Sequence, residues 1–141
     1  MNQEQVVKQL REQFPHGHPE FLPTIVAQMK LHSEKNHDYA SGGKPTGNFD
    51  RVAAILKLYP NLSLGDPRVI AMIYSLKQLD AVLWGLSENI VHKVEGLNGR
   101  LDDIAVYANI VQCMNKDLAG AGQPATPTAD EVEWKESQLA Q

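Results

Sequence analysis

The segment from Glu34 to Arg51 gathers acids, a histidine, an aromatic ring and a glycine-rich basic loop: Glu-Lys-Asn-His-Asp-Tyr-Ala-Ser-Gly-Gly-Lys-Pro-Thr-Gly-Asn-Phe-Asp-Arg. Glu34 and Asp38 stand one helical turn apart, so on a helix both carboxylates leave the same face. Asp80 and Asp103 lie on two later apolar-periodic segments. Four carboxylates converging from different helices of a bundle would hold magnesium, a hard cation that takes oxygen ligands and keeps several waters. The competing reading is ordinary: such acids form solvated faces or ion pairs, for instance Asp80 with Lys77 one turn away.

The loop Ser41-Gly-Gly-Lys-Pro-Thr-Gly47 lacks the spacing of a phosphate-cradling P-loop. It leads into a helix start with Lys44 and Arg51 close by, and the free N–H groups and dipole of such a terminus attract anions. A plain flexible connection is the alternative. Tyr39, Phe49 and Tyr107 could stack on a nucleobase, and core packing accounts for Phe49 equally well. His16 and His18 flank Gly17 without a third ligand nearby and read as a solvated turn. The lone Cys113 sits in Ile110-Val-Gln-Cys-Met114 and reads as a buried structural thiol. No serine or thiol stands beside a histidine in a recognisable nucleophile motif.

These residues must be positioned by helices, because no stretch alternates as a strand does. Val6, Val7, Leu10 and Phe14 mark a first amphipathic helix over residues 3–14, ended by Pro15-His-Gly-His-Pro19. A second runs from about Pro23 to Tyr39, with Pro23 in its first turn, and delivers Glu34, His37 and Asp38 near its end. Asn48 is the expected N-cap of a third, carrying Phe49, Val52, Ala53, Leu56 and Tyr59 and ended by Pro60. Asp66-Pro67 reads as N-cap and first position of a fourth that reaches about Ser87. Its apolar residues cover more than half of the circumference, which assigns it to the centre of a bundle and makes partners necessary for Lys77 and Asp80. Asn89 to Gly99 reads as a loop or broken turn, and Arg100 to about Leu118 as the last core helix. The fold class is therefore all-α, a bundle of four to five helices over residues 1–118. Residues 119–141 form a Gly/Pro linker and a short acidic tail helix opened by Thr128-Ala-Asp-Glu131 and able to bind a protein partner.

At 141 residues the chain has the size of one domain. Its net charge is −4, and since the segment from Gln123 onward holds four acids against Lys135, the preceding residues carry only −1. Neither value fits duplex nucleic acid, which calls for a basic stripe. No run approaches the ~20 apolar residues of a membrane span and the N-terminus lacks a signal-peptide pattern, so the expected location is the cytoplasm.

Lys35-Asn-His-Asp-Tyr39, Gly47-Asn-Phe-Asp-Arg-Val-Ala53, Val69-Ile-Ala-Met72 running to Leu76-Lys77, and Leu101-Asp-Asp-Ile-Ala-Val-Tyr-Ala108 together resemble a family of small phage and prophage proteins. The family looks like a distant branch of the MazG-like all-α nucleoside triphosphate pyrophosphohydrolases, or of the nucleotide-modification-associated domains found with them. The resemblance spans residues 34 to 108. It implies an oligomeric helical bundle in a phage-infected or lysogenic host that binds a phosphorylated nucleotide with magnesium and, in active members, releases pyrophosphate. On this chain it implies Glu34, Asp38, Asp80 and Asp103 as metal ligands, and Lys35, Tyr39, Lys44, Asn48, Arg51, Lys77 and Tyr107 as nucleotide contacts. The chain departs from the family's paired acids: Glu34 is followed at the third position by His37, the last helix offers Arg100-x-x-Asp103, and the central one Lys77-x-x-Asp80. A lysine there would partly replace a cation, which favours binding without hydrolysis. The first reading is a nucleotide-binding protein of MazG-like fold, expected to act as a magnesium-dependent nucleoside triphosphate pyrophosphohydrolase through Glu34, Asp38, Asp80 and Asp103; the second is a non-catalytic nucleotide sponge or sensor. A structural or interaction module working through the tail is the third reading.

Overall fold

The computed structural model describes residues 1–122. Among them are five helices and no strand: α1 (Gln3–Gln13), α2 (Phe21–Ala40), α3 (Gly47–Leu56), α4 (Pro67–Glu88) and α5 (Leu97–Gly120). The expected tail helix, the acidic segment that would carry it and most of the linker lie outside the described residues.

Local chemistry sets the helix ends. The side chain of Asn2 accepts from the Gln5 N–H while the Gln5 side chain accepts from the Asn2 N–H, a reciprocal cap for α1. Asp66 caps α4 by accepting from the Arg68 N–H at 2.9 Å, with Pro67 at the first position as expected. That helix stops at Asn89, whose φ of 52° places it in the left-handed region, and its N–H returns to the Gly85 carbonyl. Helix α3 begins one residue earlier than expected. Its N-cap position is Thr46, and Asn48 lies inside the first turn. Helix α5 begins at Leu97 instead of Arg100 and continues to Gly120, so Ala119 and Gly120 belong to the helix and not to the linker.

Helix α4 is the hub: it packs along α5 and also touches α2 and α3, whereas α1 touches α2 alone. The interior is thin in apolar side chains. Buried hydrophobic residues are Val26, Ala40, Ala71, Ala81 and Val82, and buried beside them are Asp38, Ser75, Gln78, Asp80 and Arg100. Phe49, for which core packing was one expectation, points outward at 70 % exposure. Cys113 is exposed as well, because it follows Val106 and Ile110 along the side of α5 turned away from α4. By length and composition α4 alone among the described helices could cross a membrane; its buried Ser75, Gln78 and Asp80 suit a central bundle helix.

Candidate functional site: a buried arginine–aspartate network

The polar interior is one connected network where the end of α2, the loop after α4 and the first turns of α5 meet. Asp38 is fully buried near the C-terminus of α2. Its carboxylate accepts from the backbone N–H groups of Lys93 at 2.7 Å and Val94 at 2.9 Å, and lies 3.4 Å from Arg100 Nη2. His37 Nδ1 sits 3.3 Å from its other oxygen. Burial pushes the Asp38 carboxyl up, but the two backbone N–H bonds and the His37 contact outweigh it and hold the group below the ordinary carboxylate range. The loop Asn89–Gly96, which carries no regular structure of its own, is thus pinned to α2 by an ionised side chain.

Arg100 is 1 % exposed and spends its donors inside the protein. Nε donates to His92 Nδ1 at 3.1 Å, and Nη1 reaches the Tyr39 hydroxyl and Gln78 Oε1, each at 2.9 Å, and lies 3.4 Å from Glu95 Oε2. The guanidinium also stands 4.7 Å from the centre of the Tyr39 ring. Since His92 Nδ1 accepts, the imidazole proton belongs on Nε2, which is buried without a hydrogen-bond partner among the described residues. Gln78 then donates to Asp103 Oδ2 at 2.6 Å, which carries the network out to the edge of α5.

A second arginine secures the glycine-rich loop. Arg51 of α3 forms a bidentate pair with Asp80 of α4, Nε to Oδ1 at 2.7 Å and Nη2 to Oδ2 at 2.9 Å, and donates to the Tyr39 carbonyl at 3.2 Å. Its guanidinium lies 4.0 Å over the Trp84 ring, and Trp84 Nε1 donates to the Ser41 carbonyl at 3.1 Å. A Cβ on Gly43 would come within 2.9 Å of the same ring, so only glycine lets the loop approach it. Asn36 donates to the Pro45 carbonyl at 2.7 Å, and Lys44 pairs with Asp50 at 2.7 Å across the loop.

The expected residues divide accordingly. Asp38, Tyr39, Arg51, Asp80 and Asp103 belong to the network. Lys77 lies at its rim, exposed, with Nζ 5.6 Å from the centre of the Tyr39 ring and no ion pair among the described residues; Asp80 pairs with Arg51 instead of with Lys77. Tyr107 is half-buried and meets Tyr74 edge to face at 5.9 Å. Glu34 is apart from the network, 4.0 Å from Lys30 on the surface, and Lys35 is exposed. Asn48 is half-buried in α3, and Lys44 is occupied by Asp50.

Magnesium does not fit the four acids as they stand. Among the described residues no three of His, Cys, Asp or Glu gather where they could hold a metal ion. The carboxylates of Asp38, Asp80 and Asp103 are each engaged by protein donors, two of them by arginines that supply the positive charge a cation would bring. Sequence reasoning missed Arg100, His92, Gln78, Glu95 and Trp84. Arg100 shares a helical phase with Ile104, Tyr107 and Val111, and Gln78 shares one with Ala71, Ser75, Val82 and Gly85. A polar residue in register with an apolar stripe was the available signal. No protein-family model, curated protein or solved structure matches the chain.

Proposed function

We propose that this protein binds a phosphorylated nucleotide and returns it intact, as a sponge or sensor, with the ligand lying across the α4–α5 rim of the buried network. The observation that carries this reading is the pairing of Asp38 and Asp80 with Arg100 and Arg51, which uses up the carboxylates that hydrolysis would need for metal while leaving Lys77 exposed and, among the described residues, without a carboxylate partner. Tyr74, one turn before Lys77 on α4, makes an aromatic pair with Tyr107, a surface suited to a base with a cation beside it for phosphate. The resemblance to MazG-like proteins supports the same ligand class.

Calorimetry with mono-, di-, tri- and cyclic nucleotides, with and without magnesium, tests the proposal. At least one should bind and be recovered unchanged by chromatography. Lys77→Gln should weaken binding about tenfold or more, the loss of one charge-assisted contact, with the melting temperature unmoved because Lys77 is exposed. Release of pyrophosphate from a triphosphate above background would replace binding by catalysis, and silence with every nucleotide would sink both.

A further inference from the structure

We infer that the outer face of α4, with its flanks on α3 and α5, is the contact surface for a second copy of this chain, paired antiparallel about a two-fold axis near Leu79. Met72, Leu76, Leu79, Leu83 and Leu86 recur at alternating intervals of four and three, the period that keeps an apolar seam in line along a helix. This seam lies apart from the polar network, and Leu76 and Leu79 line a groove of about 610 Å³ whose other walls come from α3, α5 and the turn before α4.

The area points to a protein partner of this size. Met72, Leu79, Leu83 and Leu86, with Ile55, Tyr59, Leu62 and Leu101 from the flanks, are 37–60 % exposed. At roughly 180 Å² for a large apolar residue, they present about 700 Å². The largest apolar patch on a monomer is usually about 300–600 Å², whereas a stable interface takes roughly 800 Å² from each partner. The inside of the chain gives the same answer, since its most buried positions hold as many polar and charged residues as apolar ones. A second copy would supply the apolar core that one chain lacks.

The pattern is also self-complementary. An axis at Leu79 sets Met72 of each copy against Leu86 of the other, and brings Leu76 within one residue of the level of Leu83. No charge falls on the seam, and the antiparallel arrangement aligns the two helix dipoles favourably. Such a closed two-fold contact uses the same patch on both copies and terminates there.

Light scattering of the eluting full chain should give twice its 15.6 kDa. Thermal stability should rise with protein concentration. Leu79→Lys should weaken association at least a hundredfold, whereas Val106→Lys, more exposed still but on the far side of α5, should leave it intact. Should Leu79→Lys fail to fold, a single cysteine settles the matter. With Cys113→Ser as background, Leu79→Cys should be joined into one dimer band by a short bismaleimide, a reagent chosen because packed helix axes lie about 8–10 Å apart, beyond direct disulfide reach. Val106→Cys should not be joined. A 15.6 kDa species at all concentrations, with a melting temperature independent of concentration, overturns the inference. So does a dimer that survives Leu79→Lys, or a monomer that sediments with phosphatidylcholine vesicles and so assigns the face to lipid.

Discussion

Replacing Asp38 by asparagine probes the physical claim on which the site rests, that one ionised carboxylate holds α2, the Asn89–Gly96 loop and α5 together. The substitution keeps the shape and removes the charge. Its amide offers one acceptor where the carboxylate offered two, so either the Lys93 or the Val94 N–H must face an NH₂ group, and donor meets donor. Arg100 meanwhile loses its fully buried counter-charge. Removing one member of a buried pair costs roughly 3–5 kcal/mol. Glu95, 3.4 Å from Arg100 Nη1 and partly exposed, retains some compensation and places the expected loss near the lower end, about 3 kcal/mol.

Against the ~5–15 kcal/mol of a typical domain, that is a large share, equivalent to a drop in melting temperature of about 10 °C or more. Urea unfolding followed by far-ultraviolet circular dichroism reads it directly, at fixed protein concentration and with the slope unchanged. A double-mutant cycle with Arg100→Met then isolates the pair. The two changes together should cost at least about 1 kcal/mol less than their sum, since removing Arg100 also removes the charge that Asp38→Asn strands. A loss below about 0.5 kcal/mol for Asp38→Asn, or additive behaviour in the cycle, would show that the Asp38 carboxylate does not hold α2, the loop and α5 together.

Two further outcomes follow from the same geometry. The folded-state pKa of Asp38 is depressed, so its contribution is fully present above the ordinary value near 4 and is lost as pH falls through the folded value. Urea midpoints taken from pH 7 down to about 2.5 should therefore fall more steeply below pH 4 for the wild type than for Asp38→Asn, and parallel curves would contradict the assignment. Gly85→Ala gains about 1 kcal/mol of helix propensity, yet its Cβ would collide with the buried His92 ring. The net result should be a loss of about 1–3 kcal/mol, read as a lower melting temperature, and a stabilised variant would show that His92 does not pack against α4 as described.

The fold was legible because it is written in period and punctuation. Apolar spacing placed the helices, and Asp66-Pro67 marked the start of α4 to the residue. Asn48 misled because Gly47, with its backbone buried and Lys44 folded back onto Asp50, already continues the chain from a turn at Thr46. Cys113 misled because an apolar neighbourhood in sequence does not say which side of α5 another helix covers. The site was only half legible. Asp38, Tyr39, Arg51 and Asp80 stand out as charges and rings in a short segment or on an apolar helix, but their partners depend on which loop comes back over α2. Nothing local in His92-Lys-Val-Glu95 announces that its backbone will receive the Asp38 carboxylate, since the recognising groups are N–H groups common to every residue.

Helix α4 inverts the usual arrangement of a bundle helix. A helical domain ordinarily gains its stability by turning its apolar stripe inward, yet α4 turns Gln78 and Asp80 inward together with Ala71, Ala81 and Val82, and leaves Met72, Leu79, Leu83 and Leu86 outside. Arginines and aspartates at the centre are a weak source of net stability, because desolvation consumes most of what their attraction returns. They do fix geometry, as each has one set of partners that satisfies it. The two halves therefore imply each other: a centre committed to holding Lys77, Tyr39 and the glycine-rich loop in register cannot also supply the apolar burial that folding needs, and the outer face of α4 is where that burial remains to be made.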